Sequence, residues 1–319
     1  MGRDEDAAPI HGVVIRVDPG RITVLLGEQT VSAAVRGALK QGARRAVHLV
    51  AVGDHVEVAR ERDAYRVLEV LPRRNRVSRI DPGDRSGRRE QVLAANVDQL
   101  VVMVSPREPE LNRRGVDRLL ALGEISALPI LLVLNKQDLL EPGEDPLAPY
   151  RRIGYPAVES SLRTGLGLDR LRSEFAGRVS LLCGPSGVGK SSLTNRLAPG
   201  SDLRVGEVSR ATGKGTHTTT RVHWTPISAG GALLDSPGLR GIRPFGLTPL
   251  TLATTFREFS ALDPCQFGDC RHRAEPGCAV RSASDSGAID PDRYESYVRL
   301  LAALEDERTP PRRGSEGGS

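Results

Sequence analysis

The stretch "PILLVLNKQDLL" (129–140) is an apolar run that ends in Asn135-Lys136-Gln137-Asp138. Further along, "VSLLCGPSGVGKSSLTNRL" (179–197) is a second apolar run, followed by a glycine-rich loop and a helix-forming segment. Continuous apolar runs of this length suit strands covered on both faces. The flanking segments fit the same scheme. "VDQLVVMVS" (97–105) and "RVSLLCG" (178–184) read as strands, and "NRRGVDRLLALGEIS" (112–126) and "GLDRLRSEFAG" (167–177) as helices. Strands alternating with helices predict a parallel α/β sheet.

The second stretch fits G-x-x-x-x-G-K-[ST], between a strand and a helix as that pattern requires. Gly184, Pro185, Ser186, Gly187, Val188, Gly189, Lys190, Ser191 and Ser192 would form a phosphate cradle. Glycines let the backbone curl so that its N–H groups face phosphate oxygens, and the helix start adds partial positive charge. Lys190 would reach the β- and γ-phosphates, and the Ser191 hydroxyl would ligate Mg²⁺. Only four lysines accompany 41 arginines, so a lysine at this position stands out from the chain's habit. The plainer alternative is a glycine turn before a helix.

The first stretch is a candidate base reader. A strand's C-terminal end is where open α/β sheets bind ligands. The Asp138 carboxylate can accept from the N1–H and 2-amino groups of guanine; adenine lacks both donors and would leave the carboxylate unsatisfied. Asn135 would read N7, and the Lys136 stem would cover the ring. The backbone of the "SSLRTGLGL" loop (160–168), at Ser161 and Leu162, would donate to guanine O6. An exposed polar loop after a buried strand is the other reading. "GALLDSPG" (231–238) ends a strand in Asp235, suited to Mg²⁺, with Gly238 placed to approach the γ-phosphate.

Cys265, Cys270, His272 and Cys278 lie within fourteen residues and include three of the four cysteines. Three thiolates and one imidazole match a structural, tetrahedral zinc site. Cys183, before the glycine loop, reads as ordinary core.

Residues 10–72 contain five short β-type runs separated by turns, which predicts a small closed barrel with the OB-fold foremost. The following "RRNRVSRIDPGDRSGRREQ" (73–91) reads as a basic linker. Arg73, Arg74, Arg76 and Arg79 form one run, Arg85, Arg88 and Arg89 another; Arg271 and Arg273 flank His272. Residues 1–90 hold Tyr65 as their one aromatic, so RNA contact there would go through phosphate and shape rather than base stacking. A net charge of +5 permits nucleic-acid binding without requiring it. The start, "MGRDEDAAPI", is polar, and no apolar run approaches a membrane span, so a soluble cytoplasmic protein without a membrane partner is expected.

The motifs occur in the order base reader, phosphate cradle, Asp235 switch, whereas most nucleotide-binding proteins of this kind place the cradle first. With "EQVLAANVDQLVVMVS", "NKQDL", "GPSGVGKSSLTN", "GKGTHTTT", "DSPGLR" and "CQFGDCRHRAEPGCAV", the chain resembles the circularly permuted, small-ribosomal-subunit-dependent GTPases of the RsgA/YjeQ type. The resemblance implies three parts: an OB-fold RNA-binding domain at 1–78, a circularly permuted P-loop GTPase domain at 79–248, and a mostly helical zinc-binding domain at 249–319 with a disordered tail. It also implies a monomer that binds GTP or GDP with Mg²⁺, contacts the small subunit and its rRNA, assists late maturation, and hydrolyses GTP faster on that subunit. Thr219, within Thr218-Thr219-Thr220, would complete the Mg²⁺ shell. Leu239 stands where many GTPases carry a water-orienting glutamine and can form no hydrogen bond. His217 is therefore expected to be catalytic beside Lys190 and Thr219, with a partner-supplied group as its rival. An RNA-binding module that keeps the nucleotide as an unhydrolysed ligand is the alternative, and a P-loop kinase is a third reading that leaves Asn135 and Asp138 unexplained.

Overall fold

Strands β1 (Ile10–Asp18), β2 (Arg21–Leu26), β3 (Gln29–Val35), β4 (His55–Glu61) and β5 (Ala64–Val70) alternate buried and exposed side chains. That period of two puts Val14, Ile22, Val24, Val31, Val56, Val58 and Val67 on one inward face. The strands close as β1-β2-β3-β5-β4, with β3 and β5 parallel and the other pairs antiparallel. This is the expected OB-like barrel. The computed structural model describes residues 9–35, 50–61, 64–84, 86–199, 222–235 and 242–306. The chain divides into two compact units, Met1–Leu111 with Leu122–Phe245, and Asn112–Ala121 with Gly246–Ser319.

The region read as a basic linker is ordered sheet. Strands β6 (Arg76–Ile80) and β7 (Glu90–Ala95) form an antiparallel pair, because Val77 and Ser78 turn inward and Val92 to Ala95 are apolar and buried. Its arginines have partners within the fold. Arg73 chelates the fully buried Asp54 (2.6 and 2.8 Å), Arg74 meets Asp98 (2.9 Å), Arg76 meets Glu90 (2.6 Å) and Arg79 meets Gln91 (2.7 Å). Arg85 lies outside the described residues. Gly53 carries the barrel onto this hairpin: at φ 91°, a Cβ there would fall 2.1 Å from the Ala95 carbonyl oxygen. The Asn96 amide also donates to the Gly53 carbonyl at 2.9 Å.

A six-stranded sheet follows, made of β8 (Gln99–Val104), β9 (Ile130–Leu134), β10 (Ala157–Glu159), β11 (Arg178–Cys183), β12 (His223–Pro226) and β13 (Gly231–Asp235). Its order is β10-β9-β8-β11-β13-β12, parallel except for the edge strand β12. The helices are α1 (Arg113–Ile125), α2 (Ala148–Arg152), α3 (Leu168–Phe175) and α4 (Lys190–Leu197). Leu171 and Phe175 of α3 and Leu193 of α4 join Met103, Val133, Leu182 and Leu233 in one apolar core. The C-terminal ends of β9, β11 and β13 therefore open on the same edge of the sheet.

The second unit carries α5 (Ala279–Asp285) and α6 (Pro291–Asp306) around Leu252, Phe256, Phe259, Tyr297 and Leu301. Phe256, Phe259 and Tyr297 meet at ring separations of 4.9–5.2 Å, partly edge to face. Arg293, 2% exposed, bonds Asp117 at 2.5 Å and Glu258 at 2.8 and 3.0 Å, and lies 4.5 Å from the Phe256 ring centre. Burial opposes its charge, but Asp117 and Glu258 more than compensate, so its pKa is raised. Removing the cation leaves two carboxylates in a nearly dry site. Arg293→Ala is therefore expected to lower stability by ~3–5 kcal/mol in chemical denaturation of the full chain.

Candidate nucleotide site and metal centre

The base-reading loop and the phosphate loop are joined directly by Asn135. Its backbone N–H continues the sheet by donating to Val104 (2.8 Å), while its buried side chain faces the glycine loop. The Asn135 amide nitrogen donates to the Val188 carbonyl at 2.8 Å, and its carbonyl oxygen accepts from the Leu162 N–H at 3.3 Å. One side chain thus ties together three loops that are far apart in the chain. Lys136 turns through the left-handed region (φ 59°, ψ 37°), and its ammonium donates to the Glu108 carbonyl. Asp138 follows in a 3₁₀ turn, Gln137–Leu139. The Ser161 hydroxyl donates to Asp138 Oδ1, and Arg163 donates to Oδ2 from Nε (2.8 Å), with Nη2 2.7 Å from the same oxygen. These donors hold the Asp138 pKa below the usual carboxylate value, Ser161 contributing most.

The glycine loop leaves β11 and enters α4 at Lys190, which begins the helix after Gly189. Lys190 Nζ folds back to donate to the Gly184 and Pro185 carbonyls, both at 2.9 Å. Ser186, Ser191 and Ser192 are exposed on the loop and first helical turn. Asp235 closes β13 with its Cα opposite Leu182 of β11, beside the start of the loop. Its Oδ1 is buried and makes no hydrogen bond among the described residues. Burial raises the Asp235 pKa, partly offset by the charge of Lys190. A buried carboxylate oxygen lacking a donor, at the end of the strand next to the one that leads into the glycine loop, fits a hydrated Mg²⁺ carried in with a nucleotide.

Cys265, Cys270, His272 and Cys278 converge, their ligand atoms all within 4.8 Å of one another. His272 Nδ1 lies 3.5 Å from Cys265 Sγ and 3.6 Å from Cys278 Sγ. Bonds of about 2.3 Å to sulfur and 2.0–2.1 Å to nitrogen in a tetrahedron separate S and N by roughly 3.5 Å, so the spacing suits one ion. The Tyr294 and Tyr297 hydroxyls hold the loop through the His272 (2.9 Å) and Arg271 (3.0 Å) carbonyls. Burial lowers the His272 pKa, which favours the neutral, ligating imidazole. Burial lifts the Cys270 thiol to about 12. It also opposes ionisation of Cys265, where the Ala279 N–H, the Cys270 thiol and the Val280 N–H prevail and hold the pKa low. A bound dication would offset the repulsion among three thiolates.

A family model described as RsgA GTPase matches residues 70–244. Over 300 residues the chain is 42% identical to the small ribosomal subunit biogenesis GTPase RsgA of Gemmatimonas aurantiaca, covering 92% of this chain and 97% of that protein. It is 41% identical to the protein of the same name from Chlorobaculum parvum, with 81% and 86% covered. The chain belongs to the RsgA GTPase family.

Solved structures agree with that membership. The crystal structure of YjeQ from Thermotoga maritima superposes with a TM-score of 0.73 at 30% identity, covering 93% of this chain and 99% of that one. YloQ, described as a circularly permuted GTPase, superposes at 0.70 with 25% identity, covering 97% and 99%. The inverted motif order is thus a feature shared with a solved relative.

Of the residues expected from the sequence, Asn135, Lys136, Asp138, Ser161, Leu162, the 184–192 loop and Asp235 lie around the ends of β9, β11 and β13. His217, Thr219 and Gly238 lie outside the described residues. Two contacts escaped the sequence reading: Arg163 on Asp138, and the Glu108 carbonyl on Lys136. The first had a faint signal, a lone cation in the loop assigned to the base; a backbone acceptor leaves no signal at all. The contact between Asn135 and the glycine loop is also close. At φ 106°, a Cβ on Gly189 would fall 2.3 Å from Asn135 Nδ2. Gly189→Ala is expected to weaken GDP binding by about tenfold or more in calorimetric titration, because it adds backbone strain and displaces the Asn135 amide.

Proposed function

We infer that this RsgA-family GTPase binds GTP through Asn135, Lys136, Asp138 and the 184–192 loop, and hydrolyses it while assisting late maturation of the small ribosomal subunit. The observation that carries the reading is the bond from Asn135 to Val188, which brings the base reader and phosphate cradle within reach of one mononucleotide. Asp138 accepts from the guanine edge; the Ser161 and Leu162 N–H groups donate to the Leu166 carbonyl (3.0 Å) and to Asn135 Oδ1 (3.3 Å), so either would serve O6 by exchanging that partner. Lys190 exchanges its bonds to the Gly184 and Pro185 carbonyls for phosphate oxygens. Ser191 and Thr219 are the direct ligands proposed for Mg²⁺, and Asp235 holds it through water. When bound, the ion neutralises charge developing between the β- and γ-phosphates. Gly238 approaches the γ-phosphate.

Leu239 offers no polar atom, so His217 is assigned the task of orienting or deprotonating the attacking water. The division of labour follows the three parts read from the sequence: an RNA-contacting barrel at 1–78, the permuted GTPase at 79–248 and the metal-binding part at 249–319. The relatives carry the name small ribosomal subunit biogenesis GTPase, which supports the small subunit and its rRNA as partners. A monomer acting in the cytoplasm fits that task. No helix among the described residues is long and apolar enough to cross a membrane. The metal is zinc, held by Cys265, Cys270, His272 and Cys278 in a structural role, since all four positions of a tetrahedron come from protein.

Phosphate release measured with and without purified small subunits tests the enzyme reading. Stimulation is expected, and His217→Ala should slow turnover with little loss of GTP affinity; binding without turnover under either condition would leave a nucleotide-regulated RNA-binding module. Elemental analysis is expected to find one zinc per chain, and Cys270→Ser to lose it together with thermal stability.

A further inference from the structure

Asp138 is held by a group with the same chemical form as the edge of the base it is proposed to read. In guanine, C2 carries N1, N3 and the 2-amino nitrogen, which together form a guanidine unit whose N1–H and 2-amino group are the donors. Arg163 presents Nε–H and Nη2–H across Cζ, the same planar pair of donors with a full positive charge. Both nitrogens address Asp138 Oδ2, at 2.8 and 2.7 Å, while the Ser161 hydroxyl takes Oδ1. The carboxylate side chain is 12% exposed and the Arg163 side chain 74%, so the acceptor is largely covered while its cationic partner reaches into solvent. Arg163 sits on the loop that also bonds Asn135 through Leu162, so it is tethered within reach of the site.

We propose that Arg163 is a built-in competitor for the guanine edge: its guanidinium and the base are alternative partners of Asp138, and guanine nucleotides bind by displacing it. This rests on the reading of Asp138 as the guanine acceptor. The ion pair keeps the carboxylate oriented and satisfied whenever no base is present. It also reduces the binding-competent fraction, and apparent affinity falls by that fraction. Because the arginine is exposed, the pair is weak and salt-screened, so the competitor loosens the grip on the base without closing the site.

The test is stopped-flow and equilibrium binding of a fluorescent GDP analogue to the full-length protein and its Arg163→Ala and Arg163→Lys variants. Removing the guanidinium should tighten GDP binding by about two- to sixfold, mainly through faster association. Lysine, with no fork, should fall between the two. Raising the ionic strength should narrow the gap between wild type and Arg163→Ala. Unchanged or weaker GDP binding by Arg163→Ala would overturn the proposal, leaving Arg163 a bystander or a group that covers the bound base. Asp138→Asn separates the two layers. A switch of preference from GDP to XDP sustains Asp138 as the base reader, and then the Arg163 result alone decides the competitor. If that switch fails, the base assignment falls and the competitor falls with it.

Discussion

The candidate site depends on one buried amide. Asn135 ends β9, bonds Val188 of the phosphate loop through Nδ2, and receives the Leu162 N–H through Oδ1. With both ends of the amide committed, the side chain fixes the distance between base reader and phosphate cradle. Gly189 permits it, since any side chain there would occupy the position of the amide nitrogen. The inverted order of the motifs has no bearing on this geometry. A parallel sheet presents its loops at one edge whatever sequence the chain uses to visit its strands, and here β11 lies between β8 and β13 with β9 one strand further.

The second unit is organised by a different principle. A polar knot and a Cys/His cluster are built onto its apolar core. Arg293 gathers Asp117 and Glu258 over the Phe256 ring, while Tyr294 and Tyr297 pin the loop that carries His272. The aromatic cluster reaches from Phe256 to the His272 ring, 5.5 Å from Phe259. Packing and ligand geometry are thereby coupled: the side chains that form the core also orient a metal ligand.

Charge is where sequence and structure part company. The run from Arg73 to Arg89 reads as an electrostatic footprint for RNA, yet Arg73, Arg74 and Arg76 each lie against a carboxylate within the fold. Phosphate binding by these side chains would be an exchange of partners rather than a simple capture. Arg271 and Arg273 share one carboxylate, Glu305, and the Glu275 carboxylate accepts from both of their backbone N–H groups, so this pair too is matched within the fold. Arg163 repeats the theme, an internal cation taking the Asp138 carboxylate that is proposed to accept from a base.

By itself the sequence determined the barrel strands, the parallel α/β order, the glycine loop, the Asn135–Asp138 motif and the four-residue Cys/His cluster. Each is written in short-range pattern, either a period of two or 3.6 residues or a fixed motif spacing, and local backbone geometry enforces it. The β6–β7 hairpin was equally local but was hidden under arginines, whose charge suggested solvent. Tertiary structure alone decided where those charges went. Arg73 meets Asp54 across 19 residues, Asp138 meets Arg163 across 25, and Arg293 meets Asp117 across 176. It also assigned Asn112–Ala121, the first turns of α1, to the C-terminal unit. An ion pair has no period and no preferred separation along a chain; it forms wherever folding brings opposite charges together, so only the folded chain discloses it.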